Sequence, residues 1–199
     1  MSLDAAKVLV GTADQQSSTG AVRSGAVIST IPASFSAAET TLATLTDSGY
    51  VSEAGVELSN DISTTDIVEW NRSVVRKVLD SFNGELKLTL IQCDYESWCQ
   101  ALGSQYVTKS QDGHQLTIKM GAHLAPEQTF AIALKDGTSR AIVVVPRGQV
   151  TTLDTISFSA TEAIALPITI SCYDDGTGNS IYIFVDDGKS SGSTGITGA

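Results

Sequence analysis

Hydrophobic and polar positions alternate in short runs along this chain, and most of the runs have the period of a β-strand. Residues 86–90, Leu-Lys-Leu-Thr-Leu, alternate at period two, which predicts a strand with one buried face. Residues 130–134 and 139–145 are apolar runs on either side of Asp136-Gly137, a dipeptide that tolerates the positive φ of a hairpin turn. These two runs predict a hairpin.

The last part of the chain continues the strand pattern. Residues 151–159 alternate imperfectly, residues 163–173 follow after a turn at 160–162, and residues 181–185 are a final apolar run. Pro167 lacks the N–H that a central strand donates, so it predicts an edge strand or a bulge. Together with the earlier runs, these segments predict a mainly β domain, either a barrel or a sandwich.

Two segments have the features of a helix. Asp94 stands where an N-cap belongs and Gly103 where a helix ends, so residues 95–102 predict one short helix flanking the sheet. Residues 36–45 are compatible with a second, brief helix. They lie in a stretch rich in Ser, Thr, Ala and Gly, residues 11–46, which otherwise predicts loops or an extended arm.

The period of residues 61–78 is ambiguous. Four apolar residues fall on one helical face, namely Ile67, Trp70, Val74 and Val78. Asp66 with Glu69 also resembles a capping box. However, the segment is dense in β-branched residues, and residues 71–73 offer a turn between two strands. The pattern alone therefore leaves both a helix and a strand-turn-strand open.

Length and composition favour one domain in a reducing compartment. The 199 residues, 42% of them hydrophobic, suffice for one buried core, and the apolar runs are too short to cross a membrane. The first residues lack the basic start and apolar stretch of a secretion leader. Cys93, Cys99 and Cys172 show no disulfide spacing. We expect a protein that matures in the cytoplasm, without a membrane partner.

The net charge weighs against binding to nucleic acid. Acidic residues outnumber basic ones by 22 to 12, which gives a formal charge of −10. Binding to DNA relies on basic residues that neutralise phosphates. The same charge would suit a surface that DNA passes without adhering, although an acidic surface also serves solubility.

No residue pattern indicates catalysis or a bound metal. His114 and His123 are the only histidines, and no nucleophile elbow or phosphate-binding glycine loop occurs. Cys93 and Cys99 lack the spacing of a zinc site. The last strands are bordered by four aspartates, Asp174, Asp175, Asp186 and Asp187. They lack the ligand order of a calcium loop, and turn chemistry accounts for them. We predict no catalytic residue, metal or cofactor, and no enzyme.

An ordered set of motif residues runs through most of the chain. It begins with Gly49-Tyr50-Val51-Ser52-Glu53 and Gly55-Val56, and it continues with Ser63-Thr64-Thr65, Ile67, Trp70 and Val74-Val75-Arg76. The strand, bend and helix at 86–103, the hairpin at 130–150 and the late strands up to Gly188 follow. This set resembles the major tail tube proteins of long-tailed phages with non-contractile tails, particularly those with Gram-positive hosts. The resemblance favours strands on both sides of Asn71.

The resemblance implies a fold and an assembly. The fold would be a tail-tube-type β-barrel or sandwich, with an N-terminal arm and loop (1–48) in the same domain, the β domain proper (49–188) and a flexible tail (189–199). Copies would form six-membered rings that stack into a tube through which the genome leaves. The partners would be other copies, the tape measure, and tail-tip and tail-terminator proteins. The protein would reside in the virion tail after assembly in the host cytoplasm.

The resemblance also suggests which residues meet neighbouring subunits. The N-terminal segment before Tyr50 and the region 61–70 would reach adjacent copies. The interface candidates are Tyr50, Glu53, Trp70, Arg72 and Arg76. Trp70 would be an anchor and an arginine would form an ion pair between subunits. The alternative places Trp70 in the subunit core and both arginines in solvent.

Two further functions compete with the tube. Ser/Thr-rich loops on a β-sheet would also suit a virion binding or decoration module that does not polymerise. A small hydrolase would need an active-site pair that the sequence does not contain. For the tube itself, we expect acidic and hydroxyl residues on the lumen wall, because such a wall repels phosphate and lets DNA slide.

Overall fold

The computed structural model describes residues 8–14 and 20–189, and within them the chain is mainly β-sheet. The strands are β1 (Thr12–Ala13), β2 (Val22–Gly25), β3 (Thr46–Asp47), β4 (Val51–Val68), β5 (Val74–Leu90), β6 (Val107–Lys109), β7 (Leu116–Ile118), β8 (Gln128–Asp136), β9 (Ser139–Leu153), β10 (Leu166–Tyr173) and β11 (Tyr182–Asp186). The helices are α1 (Phe35–Thr44) and α2 (Tyr95–Leu102), with a 3-10 turn at Ser104–Tyr106. The mainly β fold predicted from the sequence is confirmed.

Most strands belong to one antiparallel sheet. Its order is β3-β2-β8-β9-β10-β5-β4, while β1 pairs with β8 and β11 pairs with β9. The long strand β9 organises this sheet, because its first half pairs with β11 and its second half pairs with β10. Strands β6 and β7 form a separate two-stranded sheet. The hairpin predicted around Asp136-Gly137 is confirmed as β8–β9.

The sheet buries a different apolar cluster on each face. Successive side chains of β8 point to opposite faces, so Phe130 belongs to the larger cluster and Ala131 to the smaller one. Helix α2 covers the larger cluster through Trp98. Helix α1 covers the smaller one through Leu42, and the small side chains of β8 leave room for it. The subunit is therefore a layered structure with a helix on each side of the sheet.

Both helices begin at a side-chain cap. The Ser34 hydroxyl accepts a hydrogen bond from the Ala37 N–H at the start of α1. The Asp94 carboxylate accepts one from the Ser97 N–H at 2.9 Å, and Gly103 ends α2 at a φ of 98°. The predicted helix at 95–102 is confirmed, and the brief helix compatible with 36–45 is present as α1.

The ambiguous segment 61–78 is a strand-turn-strand, so the helical alternative is wrong. Its residues form the distal parts of β4 and β5, joined by a turn at 69–73. The β-branched residues of this segment favour extended backbone. An ion pair between Lys77 and Asp66, with a nitrogen–oxygen distance of 2.8 Å, joins the two strands near the turn.

The end of β9, the start of β10 and the position of β10 in the sheet differ from the sequence prediction. Strand β9 ends at Leu153, where the predicted strand continued to residue 159, and β10 begins at Leu166 rather than at 163. Strand β10 lies between β9 and β5, so Pro167 does not mark an edge strand. The other alternative, a bulged strand, agrees with the structure, because the register of β10 with β9 shifts at Thr169/Ile170. Pro167 is tolerated as the second residue of the strand, where few ladder hydrogen bonds precede it.

The chain ends contribute unequally to this sheet. Strand β2 pairs with β8, so part of the N-terminal segment 1–48 is built into the main sheet. The predicted flexible tail, 189–199, lies outside the described residues except for Lys189. All three cysteines, Cys93, Cys99 and Cys172, are free thiols. Neither α-helix, nor any other described helix, has the length and apolar character needed to cross a membrane.

Candidate functional site

Strands β4 and β5 form a two-stranded arm, residues 57–83. Residues 57–60 still pair with the part of β5 that β10 also pairs, and the arm extends beyond the sheet from Asp61 to Asn83. Every residue of the arm is exposed, whereas Gly84 and Leu86, which lie within the sheet, are buried. At a strand rise of about 3.3 Å per residue, the arm is about 36 Å long from Glu57 to Val68. No other described element covers it, so the arm is a surface without a partner inside the subunit.

One face of the arm is apolar. Paired residues of two antiparallel strands share a face, and successive residues alternate between faces. This face, called the apolar face, carries six apolar side chains: Leu58, Ile62, Val68, Val74, Leu79 and Phe82. The same face also carries Asn60, Thr64 and the ion-paired residues Asp66 and Lys77. Leu58 pairs with the core residue Leu86, which is 1% exposed, so this face continues the buried face of the sheet into solvent. An exposed apolar surface of this extent is typical of an interaction site.

The opposite face of the arm is polar. It carries acidic, hydroxyl and amide side chains, namely Glu57, Ser59, Asp61, Ser63 and Thr65 on β4, and Ser81 and Asn83 on β5. Towards the tip the same face also carries Val78, Ile67 and Arg76. The arm is thus amphipathic, with one face suited to a protein contact and the other to water.

The arm ends in a tight turn with a strained residue. The Arg72 N–H donates to the Glu69 carbonyl at 2.9 Å, and the Glu69 N–H donates to the Ser73 carbonyl at 3.0 Å. This closure places Arg72 at a φ of 67°, and among the described residues it is the one non-glycine with a positive φ. Trp70 in the same turn is 101% exposed. A large aromatic side chain is therefore held at the most distal point of the subunit.

The base of the arm, residues 50–56, contains a large bulge. Val51 pairs with Leu90 and Val56 with Leu88, so residues 52–55 have no counterpart on β5. Gly55 has a φ of 72°, which bends the strand at this point. Bulges of this kind bend a strand locally, and after this one β4 resumes regular pairing with β5 from Val56 onward.

An apolar cavity of about 370 Å³ opens beside this bulge. Its floor consists of core side chains that include Val22, Leu86 and Ile132. Gly55 and the exposed residue Ile183 lie at its rim. We call it the base cavity. No local sequence pattern predicts this cavity, because residues from seven separate strands build it.

The structure separates the five candidate interface residues into two groups. Trp70, Arg72 and Arg76 lie at the distal end of the arm, whereas Tyr50 and Glu53 lie at its base. Full exposure of Trp70 overturns the alternative that placed it in the subunit core. Within the described chain, no carboxylate lies in ion-pair range of Arg72 or Arg76.

The base residues are exposed as well. Tyr50 is 62% exposed, and its backbone is fixed by two contacts: its N–H donates to Gln92 Oε1 at 3.3 Å and its carbonyl accepts from the Ile91 N–H at 2.9 Å. Glu53 lies on the bulge and is exposed. Participation of these five residues in subunit contacts stays a prediction.

Outside the arm, the shifted pKa values of Asp175 and Cys172 are explained by local hydrogen bonds and by burial. Hydrogen bonds from Thr177 and Tyr182 lower the pKa of Asp175 to about 2. The same hydrogen bonds stabilise the turn at residues 174–179. Burial, with a smaller contribution from Glu85, raises the pKa of the Cys172 thiol to about 12. Across residues 8–14 and 20–189, no three His, Cys, Asp or Glu side chains are grouped so as to hold a metal.

Comparison with known proteins assigns the family. A family model described as phage tail tube protein matches residues 1–194. The chain is similar to the tube-terminating cap of the anti-feeding prophage, with 14% identity and a TM-score of 0.42 over 65% of this chain and 79% of that chain. It is also similar to the sheath/tube terminator of an extracellular contractile injection system, with 13% identity and a TM-score of 0.40 over 65% and 82%. No curated protein matches significantly.

The family match covers nearly the whole chain, including the arm, the sheet and both helices. The chain therefore belongs to the phage tail tube protein family.

Proposed function

We propose that this protein polymerises as stacked six-membered rings that form the tail tube, the conduit through which the genome leaves the virion. Membership of the family makes it a structural protein of a phage tail. The observation that supports polymerisation is the arm, because its apolar face is exposed in a single subunit. A second copy of the same chain is the simplest surface to cover it. The role is structural and requires no catalysis.

The free energy gained by burying the apolar face of the arm is too small to hold a ring together by itself. The six apolar side chains of its apolar face are about half exposed, so covering them supplies about 1 kcal/mol each. About 6 kcal/mol per arm lies at the lower end of the cost of association, about 4–15 kcal/mol. The arm therefore needs help from other contacts.

Unpaired sheet edges supply that help. The main sheet ends at β3 on one side and β4 on the other, and neither outer edge has a strand partner among the described residues. Pairing such edges between neighbours satisfies their backbone groups and protects them from aggregation. A lateral contact that closes gives a ring, and a head-to-tail contact between rings does not close and gives a tube.

The polar face of the arm suits the lumen. Covering the apolar face against a neighbour leaves the acidic and hydroxyl side chains of the polar face free to line the central channel. The polar face carries two carboxylates, Glu57 and Asp61, against one basic residue, Arg76, and the whole chain has a formal charge of −10. Such a wall would repel phosphate, and DNA would pass without specific binding. Other partners in this proposal are the tape measure and the tail-tip and tail-terminator proteins, with assembly in the host cytoplasm.

Electron microscopy of the concentrated protein tests the proposal. Wild-type protein, supplied with its tail-tip complex where the pure protein stays monomeric, should form tubes or rings. A variant in which Asn-Gly replaces residues 62–82, and so joins the paired residues Asp61 and Asn83, should fold but stay as discrete particles. Its thermal unfolding should match the wild type, because the removed residues are all exposed.

A matched control keeps the comparison specific. Thr161→Ala alters an exposed loop residue outside the arm and should polymerise like the wild type. Discrete wild-type particles under every condition would contradict the tube and favour the virion binding or decoration module instead.

A further inference from the structure

We propose that the Trp70 side chain at the arm tip of one copy occupies the base cavity of the adjacent copy in the ring. This inference rests on the proposed function, because it needs copies arranged side by side. It assigns the arm tip a defined receptor, and that receptor is present on every copy.

The length of the arm matches the distance between neighbours. A compact fold of about 150 residues has a radius of gyration of about 15 Å, which corresponds to a sphere about 38 Å across. Equivalent points on two copies in lateral contact are therefore about 38 Å apart. The arm extends about 36 Å from its base, so its tip reaches the arm base of the next copy. Its paired, extended strands prevent it from folding back into the cavity of its own subunit.

The base cavity has the size and chemistry that an indole needs. Its volume of about 370 Å³ accommodates a tryptophan side chain, and its floor is formed by aliphatic core residues such as Val22 and Val143. A buried indole N–H requires a hydrogen-bond acceptor. Ser52 is among the residues that line the cavity, and in this proposal its hydroxyl accepts that hydrogen bond. An aromatic anchor in a preformed pocket is the usual centre of a strong interface.

Charges at the two ends of the arm are complementary. Arg72 lies two residues from Trp70 and has no carboxylate partner within the described chain. Glu53 lies on the bulge next to the cavity residue Ser52, and it too has no basic partner there. Insertion of Trp70 brings this arginine and this glutamate of two different copies together. The two groups of candidate residues, separated within one subunit, then meet across the interface.

The strained turn agrees with this arrangement. Arg72 holds a backbone conformation that glycine would adopt more easily. Strained residues persist where a contact requires them. Here the strain presents Trp70 and Arg72 on a tight tip that is narrow enough to enter a pocket.

A disulfide crosslink tests the contact directly. The pair Trp70→Cys and Ser52→Cys in one chain should, on oxidation of assembled protein, give a covalent ladder of linked copies up to the closed ring. The matched control, Trp70→Cys with Thr161→Cys, should give no ladder. Trp70→Cys alone measures any crosslink to the native cysteines.

Two assembly variants test the energetic role of the contact. Trp70→Ala should raise the concentration needed for tube formation by about ten-fold or more, with thermal unfolding of the subunit unchanged. Ala141→Trp places an indole in the cavity from within its own subunit and should have the same effect on assembly. The crosslink decides the case even where Ala141→Trp fails to fold.

The outcomes separate this inference from the proposed function. Tubes that form without the specific ladder, together with normal assembly of Trp70→Ala, would overturn the Trp70 contact and leave the tube intact. A ladder obtained instead between Ser52→Cys and Val10→Cys would assign the cavity to the exposed apolar segment 8–10 of a copy, and it would also overturn the contact. A wild-type protein that never polymerises would overturn both.

Discussion

Arg72 combines an unfavourable backbone conformation with an exposed side chain. Its φ of 67° lies in the left-handed region, and the three-residue turn that it completes usually has glycine at this position. Within the described chain, no carboxylate pairs with its guanidinium to compensate the strain. We therefore expect the arginine to be used in a contact outside the subunit.

Replacement of Arg72 by glycine should therefore separate folding from assembly. Arg72→Gly should leave the free energy of unfolding unchanged or raise it by up to about 1 kcal/mol, because glycine adopts this φ without strain. Tube formation should weaken, because the cation is lost. Thermal unfolding and the concentration needed for assembly measure the two effects. Arg72→Lys keeps the charge and serves as the control. Assembly of Arg72→Gly as good as wild type would assign no intersubunit role to the guanidinium.

Cys172 makes the stability of the subunit depend on alkaline pH. Burial raises the pKa of its thiol to about 12 from an ordinary value of 9.0. The folded state thus favours the neutral thiol, so this contribution is complete below pH 9 and is lost as the pH rises from 9 towards 12. The free energy of unfolding should fall by at most about 1.4 kcal/mol per pH unit in this window.

Urea unfolding between pH 8 and pH 10.5 measures this loss. Cys172→Ala removes the titrating group, and its free energy of unfolding should fall less steeply over the same window. The remaining slope would come from other groups, including Cys93, whose pKa is also raised by burial. Equal slopes in the wild type and the variant would show that the Cys172 thiol does not titrate with folding.

At the scale of elements, helix α2 depends on Asp94. The carboxylate accepts hydrogen bonds from the Ser97 N–H at 2.9 Å, the Ser97 hydroxyl at 2.8 Å and the Gln92 amide at 2.6 Å. Partial burial would raise the pKa of Asp94, but these hydrogen bonds outweigh it and lower the pKa. The cap matters beyond the helix, because α2 covers the larger core cluster through Trp98.

Loss of this cap should destabilise the subunit in a pH-dependent way. Asp94→Ala should lower the free energy of unfolding by about 1 kcal/mol at pH 7. The pKa of Asp94 is lowered in the folded state, so its stabilisation is present above its ordinary value of 3.8 and is lost as the pH falls through the folded value. The difference between wild type and variant should shrink at pH 3, as measured by urea unfolding. Asp94→Asn keeps a capping oxygen and should lie between them.

The elements that local chemistry defines could be predicted from the sequence. Caps at Asp94 and Gly103 located α2, and Asp136-Gly137 located a hairpin. The segment 61–78 was ambiguous for a physical reason: an arm exposed on both sides has no buried face to impose a strict period of two, and Ile67 and Val78 lie on its polar face. The central place of β10 depends on pairing with β5 and β9, which local pattern does not encode.

At the scale of the whole molecule, the sequence gives the net charge but does not give the arrangement of residues in space. The acidic charge is read directly from the sequence, and the five interface candidates, which the family resemblance suggested, stay a prediction. Neither the separation of those candidates into two groups nor the base cavity could be predicted. Both depend on how distant strands converge. For Trp70 the sequence left both an exposed anchor and a core position open, because large aromatic residues are commonly buried and local pattern does not determine the length of the hairpin that places this one in solvent.

The charge of the polar face leads to a prediction about the assembled tube. If this face lines the lumen, wild-type tubes should not bind duplex DNA at about 0.15 M salt, since the wall repels phosphate. The double variant Ser59→Lys and Asp61→Lys adds basic groups to the polar face, where position 59 lies opposite Glu85. Its tubes should retain DNA, with an affinity that falls steeply as salt rises.

A control with an equal change in net charge shows whether position matters. Asp154→Lys and Ser159→Lys alter exposed residues outside the arm and should leave DNA binding absent in assembled tubes. Electrophoretic retention of DNA by purified tubes, followed across a salt series, measures both variants. Equal binding by the two would mean that net charge alone governs the interaction, and the polar face would not be the lumen wall. Binding by the wild type would contradict the repulsive wall itself, because a conduit that holds phosphate would slow the DNA it must release.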